Sequence, residues 1–159
     1  MPQLYLSPRA DGRGPLEPVS TTNPLPVQLK GKAEVISGLY QTQLVIVPGI
    51  GTASAYASGD AFGVAFSVQV PVQGTISNIF FLDYDAEGIN KELALFRANF
   101  TGTADNSAFA ISDGDLQKCL GVVSIDVWYS FANNQVGVAN PALSYFAPEG
   151  ALYCQFITR

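Results

Sequence analysis

Thr75-Ile76-Ser77-Asn78-Ile79-Phe80-Phe81-Leu82, followed after Asp83-Tyr84-Asp85-Ala86-Glu87-Gly88 by Lys91-Glu92-Leu93-Ala94-Leu95-Phe96-Arg97, is the stretch on which the fold turns. Both runs are rich in β-branched, aromatic or other apolar residues, and the segment between them is short, acidic and contains glycine. They read as two antiparallel neighbours joined by a compact turn. Ile79 to Leu82 is apolar at both parities, as expected of a strand packed on both faces. Phe80, Leu82, Leu95 and, further along, Val127 are therefore expected to be buried together at the centre of the core.

The surrounding chain supports an all-β reading. Its 159 residues are enough for one domain with a real core, and glycine, proline, valine and aromatic residues outweigh the lysine and glutamate that fill exposed helices. Phe62, Val64, Phe66, Val68 and Val70 alternate with Gly63, Ala65, Ser67 and Gln69, which is a two-faced strand. The small residues on its second face leave room for a second sheet or another subunit to approach closely. Val35-Ile36 and Leu44 to Val47 read as earlier strands, the latter ended by Pro48-Gly49. Val122 to Phe131, Leu143 to Phe146 and Leu152 to Ile157 supply later ones, and Asn133-Asn134 is a hairpin turn. About eight strands at this spacing predict a jelly-roll-like antiparallel β-sandwich. One helix of about two turns is expected, with Ser112 as N-cap, Asp113 and Asp115 at its positive end and Gly121 as C′ residue.

Residues 1–32 differ in kind. Pro2, Pro8, Pro15, Pro18, Pro24 and Pro26 deny the segment ladder donors and bias it towards extended backbone, so it reads as an N-terminal arm ahead of a sandwich at 33–159. Leu4, Tyr5, Leu6, Leu16, Val19, Leu25 and Val27 are spaced as apolar anchors, and these are the residues expected to bind a neighbouring subunit. Arg9, Arg13, Lys30 and Lys32 outnumber Asp11 and Glu17, so the arm is mildly basic while the rest of the chain is acidic. With 48% apolar and only 13% charged residues, part of the surface is expected to be covered by another protein. A homo-oligomer follows, with a trimer preferred to a dimer.

Several chemistries are not available. The chain has no histidine, so it cannot assemble a serine–histidine–carboxylate triad, a cysteine–histidine pair or a histidine metal site by itself. Cys119 and Cys154 are too few for structural zinc and read as two thiols in a reducing compartment, with a single disulfide left open. No phosphate-cradling glycine loop follows a strand. Asp83-x-Asp85-x-Glu87-Gly88 opens like a calcium loop, but Ala94 stands where the bidentate carboxylate belongs, so an acidic solvated turn is expected. The same carboxylates with Glu92 could form a glycosidase pair only if a cleft enclosed them. Asp105, Asp113 and Asp115 read as turn and cap residues, and Trp128-Tyr129 as core rather than a sugar platform. No catalytic residue, cofactor or metal is expected. Nucleic acid would be repelled by the acidic body, and no apolar run reaches the ~20 residues that span a bilayer.

Asn23-Pro24-Leu25-Pro26-Val27 after Ser20-Thr21-Thr22, Tyr56-Ala57-Ser58-Gly59-Asp60, and the run from Asp105 to Asp115 together resemble small virion structural proteins of tailed bacteriophages, of the capsid decoration or cement type. The resemblance spans most of the chain in order and rests on turn and fold motifs. It implies a jelly-roll-like body on the capsid exterior, made in the host cytoplasm, grouped around a symmetry axis and bound to the major capsid protein. A lectin-like binding module of a phage fibre or tail is the alternative.

Overall fold

The structure is a computed structural model that describes residues 40–51 and 54–159, all within the second of two units, Leu39–Arg159. The arm anchors Leu4, Tyr5, Leu6, Leu16, Val19, Leu25 and Val27, and the expected strand at Val35-Ile36, lie outside the described residues.

The described fold is all-β, with antiparallel pairing throughout and one short helix. Nine strands run in the order β1 (Ala61–Gln69), β2 (Gln73–Ile76), β3 (Ile79–Asp83), β4 (Lys91–Phe96), β5 (Cys119–Ile125), β6 (Val127–Ser130), β7 (Gln135–Ala139), β8 (Leu143–Phe146) and β9 (Ala151–Thr158); helix α1 (Asp113–Leu116) precedes β5. The main sheet has the order β1-β9-β4-β5, a second has the order β3-β7-β6, and β2 pairs with β8. These last two are nearly one ladder. Ile76 faces Leu143 and Ile79 faces Ala139, so Ser77-Asn78 stand opposite Asn140-Pro141-Ala142 as an irregularity. Ala142 adopts φ 48° there, and Pro141 supplies no ladder donor.

This topology changes the expectation for the deciding stretch. β3 pairs with β7, while β4 lies between β9 and β5 in the other sheet, so the two runs are not neighbours. They face each other across the core instead. Phe81 of β3 meets Phe156 of β9 edge-on with ring centroids 5.1 Å apart, and it also touches Phe62 and Trp128. Strand parity then decides the rest. Ile79 and Phe81 point inward, leaving Phe80 63%, Leu82 41% and Val127 50% exposed, so of the four residues expected to be buried together only Leu95 is buried. Gly137 makes the inward arrangement possible, because a Cβ there would lie 2.6 Å from Ile125 Cγ2 and 2.9 Å from the Trp128 ring.

Other expectations meet local corrections. Leu44 to Val47 joins no ladder, and only Val47 is withdrawn from solvent. Pro48 instead places its carbonyl against the edge of β1 and accepts from the Val64 N–H. β1 itself is bulged: between the pairs Phe62–Phe156 and Phe66–Cys154, three residues of β1 stand opposite Gln155 alone. Gly63 sits at φ 70° in this bulge, where a side chain would strike the Pro48 carbonyl at 2.6 Å. Val64 is thereby turned outward, breaking the expected alternation. The small residues of β1 are approached by the chain's own Pro48 and Gly102. The helix begins as expected, with the Asp115 N–H donating to Ser112 Oγ, but spans one turn and ends at Gln117; Gly121 belongs to β5.

Candidate interaction surface

The two sheets treat their outer faces differently. On the main sheet, Ala94, Phe96 and Ile157 point away from the central core but are still buried, because the β4–β5 connection folds over them with Phe100, Phe109 and Ile111. Phe96 and Phe100 stack with centroids 3.9 Å apart. Polar groups fasten the cover. The Gln155 side chain is fully buried; its Nε2 donates to the carbonyls of Gly63 at 3.0 Å and Thr103 at 2.6 Å, and its Oε1 accepts from the Thr103 N–H at 2.9 Å. Asp115 holds the other end, accepting from Thr101 N–H and Lys118 Nζ. Its carboxyl is held below the usual range, first by the Lys118 hydrogen bond and then by Thr101.

The outer face of β3-β7-β6 has no such cover among the described residues. Pairing sets Phe80, Val138 and Val127 in one row across the three strands and Leu82, Val136 and Tyr129 in the next. All six lie on the face away from Phe81 and Trp128. None is charged, and the four on the two edge strands are 41–63% exposed. Phe131, at the β6–β7 hairpin, extends the apolar surface and is equally open. A shallow depression of about 350 Å³ between β5 and β6 adjoins it; Val127 and Val138 line both, and Asp126 is the only ionisable group there. One carboxylate without an acid or base partner does not make a hydrolytic site.

The polar candidates resolve into structural roles. Asp83 accepts from its own turn at Asp85 and Gly88 and from Gln135 Nε2 at 2.8 Å. Burial pushes its carboxyl pKa up, but these hydrogen bonds and the nearby Lys91 outweigh that and leave it lowered. Among the described residues no group of three or more histidine, cysteine, aspartate or glutamate side chains is placed to hold a metal. Asp105 does more than cap a turn. It accepts from Gly51 N–H at 2.8 Å, Gly63 N–H at 2.6 Å and the Tyr56 hydroxyl at 2.8 Å, tying the segment before β1 onto the bulge. Tyr56 is pushed up to about 12, first by burial and then by this carboxylate. Asp113 stands in the first turn of α1 and is exposed.

Trp128 and Tyr129 occupy opposite faces of β6. Trp128 packs on Phe81 and donates to Asn90 Oδ1, whereas Tyr129 stands in the outer apolar rows. They do not form a paired platform. Cys119 and Cys154 are both free thiols, Cys154 being buried with its pKa pushed up to about 12 by desolvation. No described helix is long and apolar enough to cross a membrane. The sequence does signal the outer rows, through Phe80-x-Leu82, Val127-x-Tyr129 and Val136-x-Val138, but not which parity faces water. No protein-family model, curated protein or solved structure matches the chain, which leaves the chemistry of this surface to indicate its role.

Proposed function

We propose that the chain is a structural virion protein of the capsid decoration type, which binds the major capsid protein on the outside of a bacteriophage shell and holds neighbouring subunits in place. The observation that carries this reading is the charge-free apolar face of β3-β7-β6, left uncovered by the described residues, on a chain of net charge -5. A face of that kind is an assembly surface. It lies on a rigid sheet whose inner side is filled by Phe81 and Trp128, so it is preorganised and loses little freedom on contact. Residues 1–32 are assigned the grip on the shell itself, since a proline-rich sequence with spaced apolar anchors suits binding along a shell. The division of Trp128 and Tyr129 between two faces weighs against the lectin-like alternative.

The test is co-sedimentation of the full chain with shells assembled without it, together with a chain lacking residues 1–30. Saturable attachment and a higher temperature of shell disruption are expected, with attachment sharply weakened by the truncation. A full-length protein that stays in the supernatant at every concentration, or an isolated body that binds glycans, overturns the reading.

A further inference from the structure

We propose that the outer face of β3-β7-β6 is an interface between two copies of this chain, packed face to face about a two-fold axis that runs along β7. The proposal rests on the reading of that face as an assembly surface and names its occupant. Register supplies the first argument. A two-fold axis along the central strand sets β3 of one copy over β6 of the other at the same row, so Phe80 meets Val127 and Leu82 meets Tyr129. Each large side chain then faces a smaller one, and every contact recurs by symmetry, as an isologous interface requires.

Shape supplies the second. Two twisted sheets packed in alignment are closest at the centre and splay towards the corners. The centre of this face holds Val136 and Val138, while Phe80, Leu82, Val127 and Tyr129 stand at its four corners, where each gap is filled by one larger and one smaller side chain. A three-fold arrangement, the grouping expected from the sequence, would not bring these complementary pairs together.

Area supplies the third. With Phe80, Tyr129 and Phe131 each close to three-fifths exposed, and roughly 200 Å² per aromatic residue, these rings with Leu82 and Val127 offer roughly 500 Å². Two copies bury about 1,000 Å² in all, the lower limit for a specific interface. The contact is therefore reversible rather than obligate. The face carries no charge, but Asp85, Glu87 and Asp126 are exposed on its flanking turns, so two copies repel at long range and added salt strengthens the pairing.

Light scattering and sedimentation equilibrium of the full chain, without capsids, from about 1 to about 100 µM test the proposal. A concentration-dependent dimer that tightens with salt is expected. F80K and V127E should each weaken it at least tenfold, with urea unfolding and circular dichroism confirming that each variant is folded. Because Phe80 and Val127 face one another across the axis, an equimolar mixture of F80K and V127E should recover dimer that neither forms alone. That recovery separates a specific two-fold from general stickiness. A monomer across the range, a trimer, variants that dimerise like the parent, or no recovery on mixing each overturn the proposal. A monomer whose F80K form no longer binds shells assigns the face to the capsid protein, which overturns the dimer and leaves the decoration reading standing. A dimer that never binds shells does the reverse.

Discussion

Replacing Gln155 with leucine removes the polar tie that holds the β4–β5 connection on the main sheet. Leucine has nearly the volume of glutamine, so the change leaves little cavity, and the cost comes from unpaired main-chain groups. Three are released: the Gly63 carbonyl, the Thr103 carbonyl and the Thr103 N–H. Each lost hydrogen bond is worth about 1 kcal/mol net, and each group that stays buried without a partner adds about 1–3 kcal/mol. The Thr103 groups can reach water if the connection lifts, whereas Gly63 is pinned by Asp105. A loss of about 3 kcal/mol is therefore expected, a large share of the roughly 5–15 kcal/mol that holds a domain together. Urea unfolding measures it, and hydrogen exchange should show faster exchange across 97–118 while β3, β6 and β7 are unchanged. Gln155→Glu sharpens the test, because it keeps an acceptor for Thr103 but sets a carboxylate against two carbonyls. It should be worse than leucine at neutral pH and partly recovered in acid, where the protonated carboxyl can donate once. A loss below about 1 kcal/mol for Gln155→Leu, with unaltered exchange over 97–118, would refute this account.

Phe81→Ala should cost about 3–4 kcal/mol, since its ring joins Phe62, Trp128 and Phe156, whereas Phe80→Ala should cost under about 1 kcal/mol at concentrations where copies are apart; equal losses in urea would mean the parity of β3 is wrong. Lys91 is 3% exposed among the rings of Phe62, Phe81 and Trp128, its Nζ donating, among the described residues, only to the Ile89 carbonyl, so Lys91→Met should unfold at the same or a higher urea concentration. Burial lowers the Lys91 pKa despite Asp83 and Glu87, so the cost of holding it charged is full below the depressed value and is relieved as pH rises towards 10.5; the methionine variant should lack that component of the stability profile. Asp105 feels burial that raises its pKa, but hydrogen bonds from Tyr56, Gly51, Gly63 and Asn106 leave it below 3.8. Its stabilisation is present above 3.8 and lost as pH falls through the depressed value, so Asp105→Asn should be less stable at pH 7 and flatter in acid. Tyr56 contributes below its ordinary 10.0 and that contribution is lost as pH rises towards about 12, so in Tyr56→Phe the alkaline limb should flatten.

Strand content, the β6–β7 turn and the Ser112 cap were legible because each rests on residues near one another in sequence. The failures have a common cause. Ile79-Phe80-Phe81-Leu82 is apolar on both faces, so no local signal chooses which parity turns inward; that choice is made by Gly137, whose missing side chain admits Ile125 and Trp128. Leu44 to Val47 has strand composition but no ladder to join, since the edge of β1 is bulged at Gly63 and takes only the Pro48 carbonyl. The pairing of β4 with β9 depends on partners about sixty residues away, which spacing within the stretch cannot reveal. Gln155 and Asp105 were equally hidden. Their partners lie up to 92 and 54 residues distant, and nothing beside them in sequence marks a glutamine or an aspartate as a tie.

The contrast between the two outer faces ties these points to function. The main sheet has β9 and β4 buried on both sides, because the chain devotes residues 97–118 to covering them and fixes that cover with Gln155 and Asp115. The second sheet carries rows just as apolar and has no comparable cover among the described residues. Its edge strands β3 and β6 are short, and neither presents a lysine or a proline outward to discourage association. A face of that composition is a liability in a free monomer and an asset in an assembly. What restrains it is long-range: a net charge of -5 keeps copies apart in dilute solution, while short-range apolar contact governs once a surface of matching shape is held close. On the proposed reading the shell supplies that closeness. Copies bound side by side on a capsid meet at an effective concentration far above that in solution, so an interface of only about 1,000 Å² is enough to link them there and too small to lock them together beforehand.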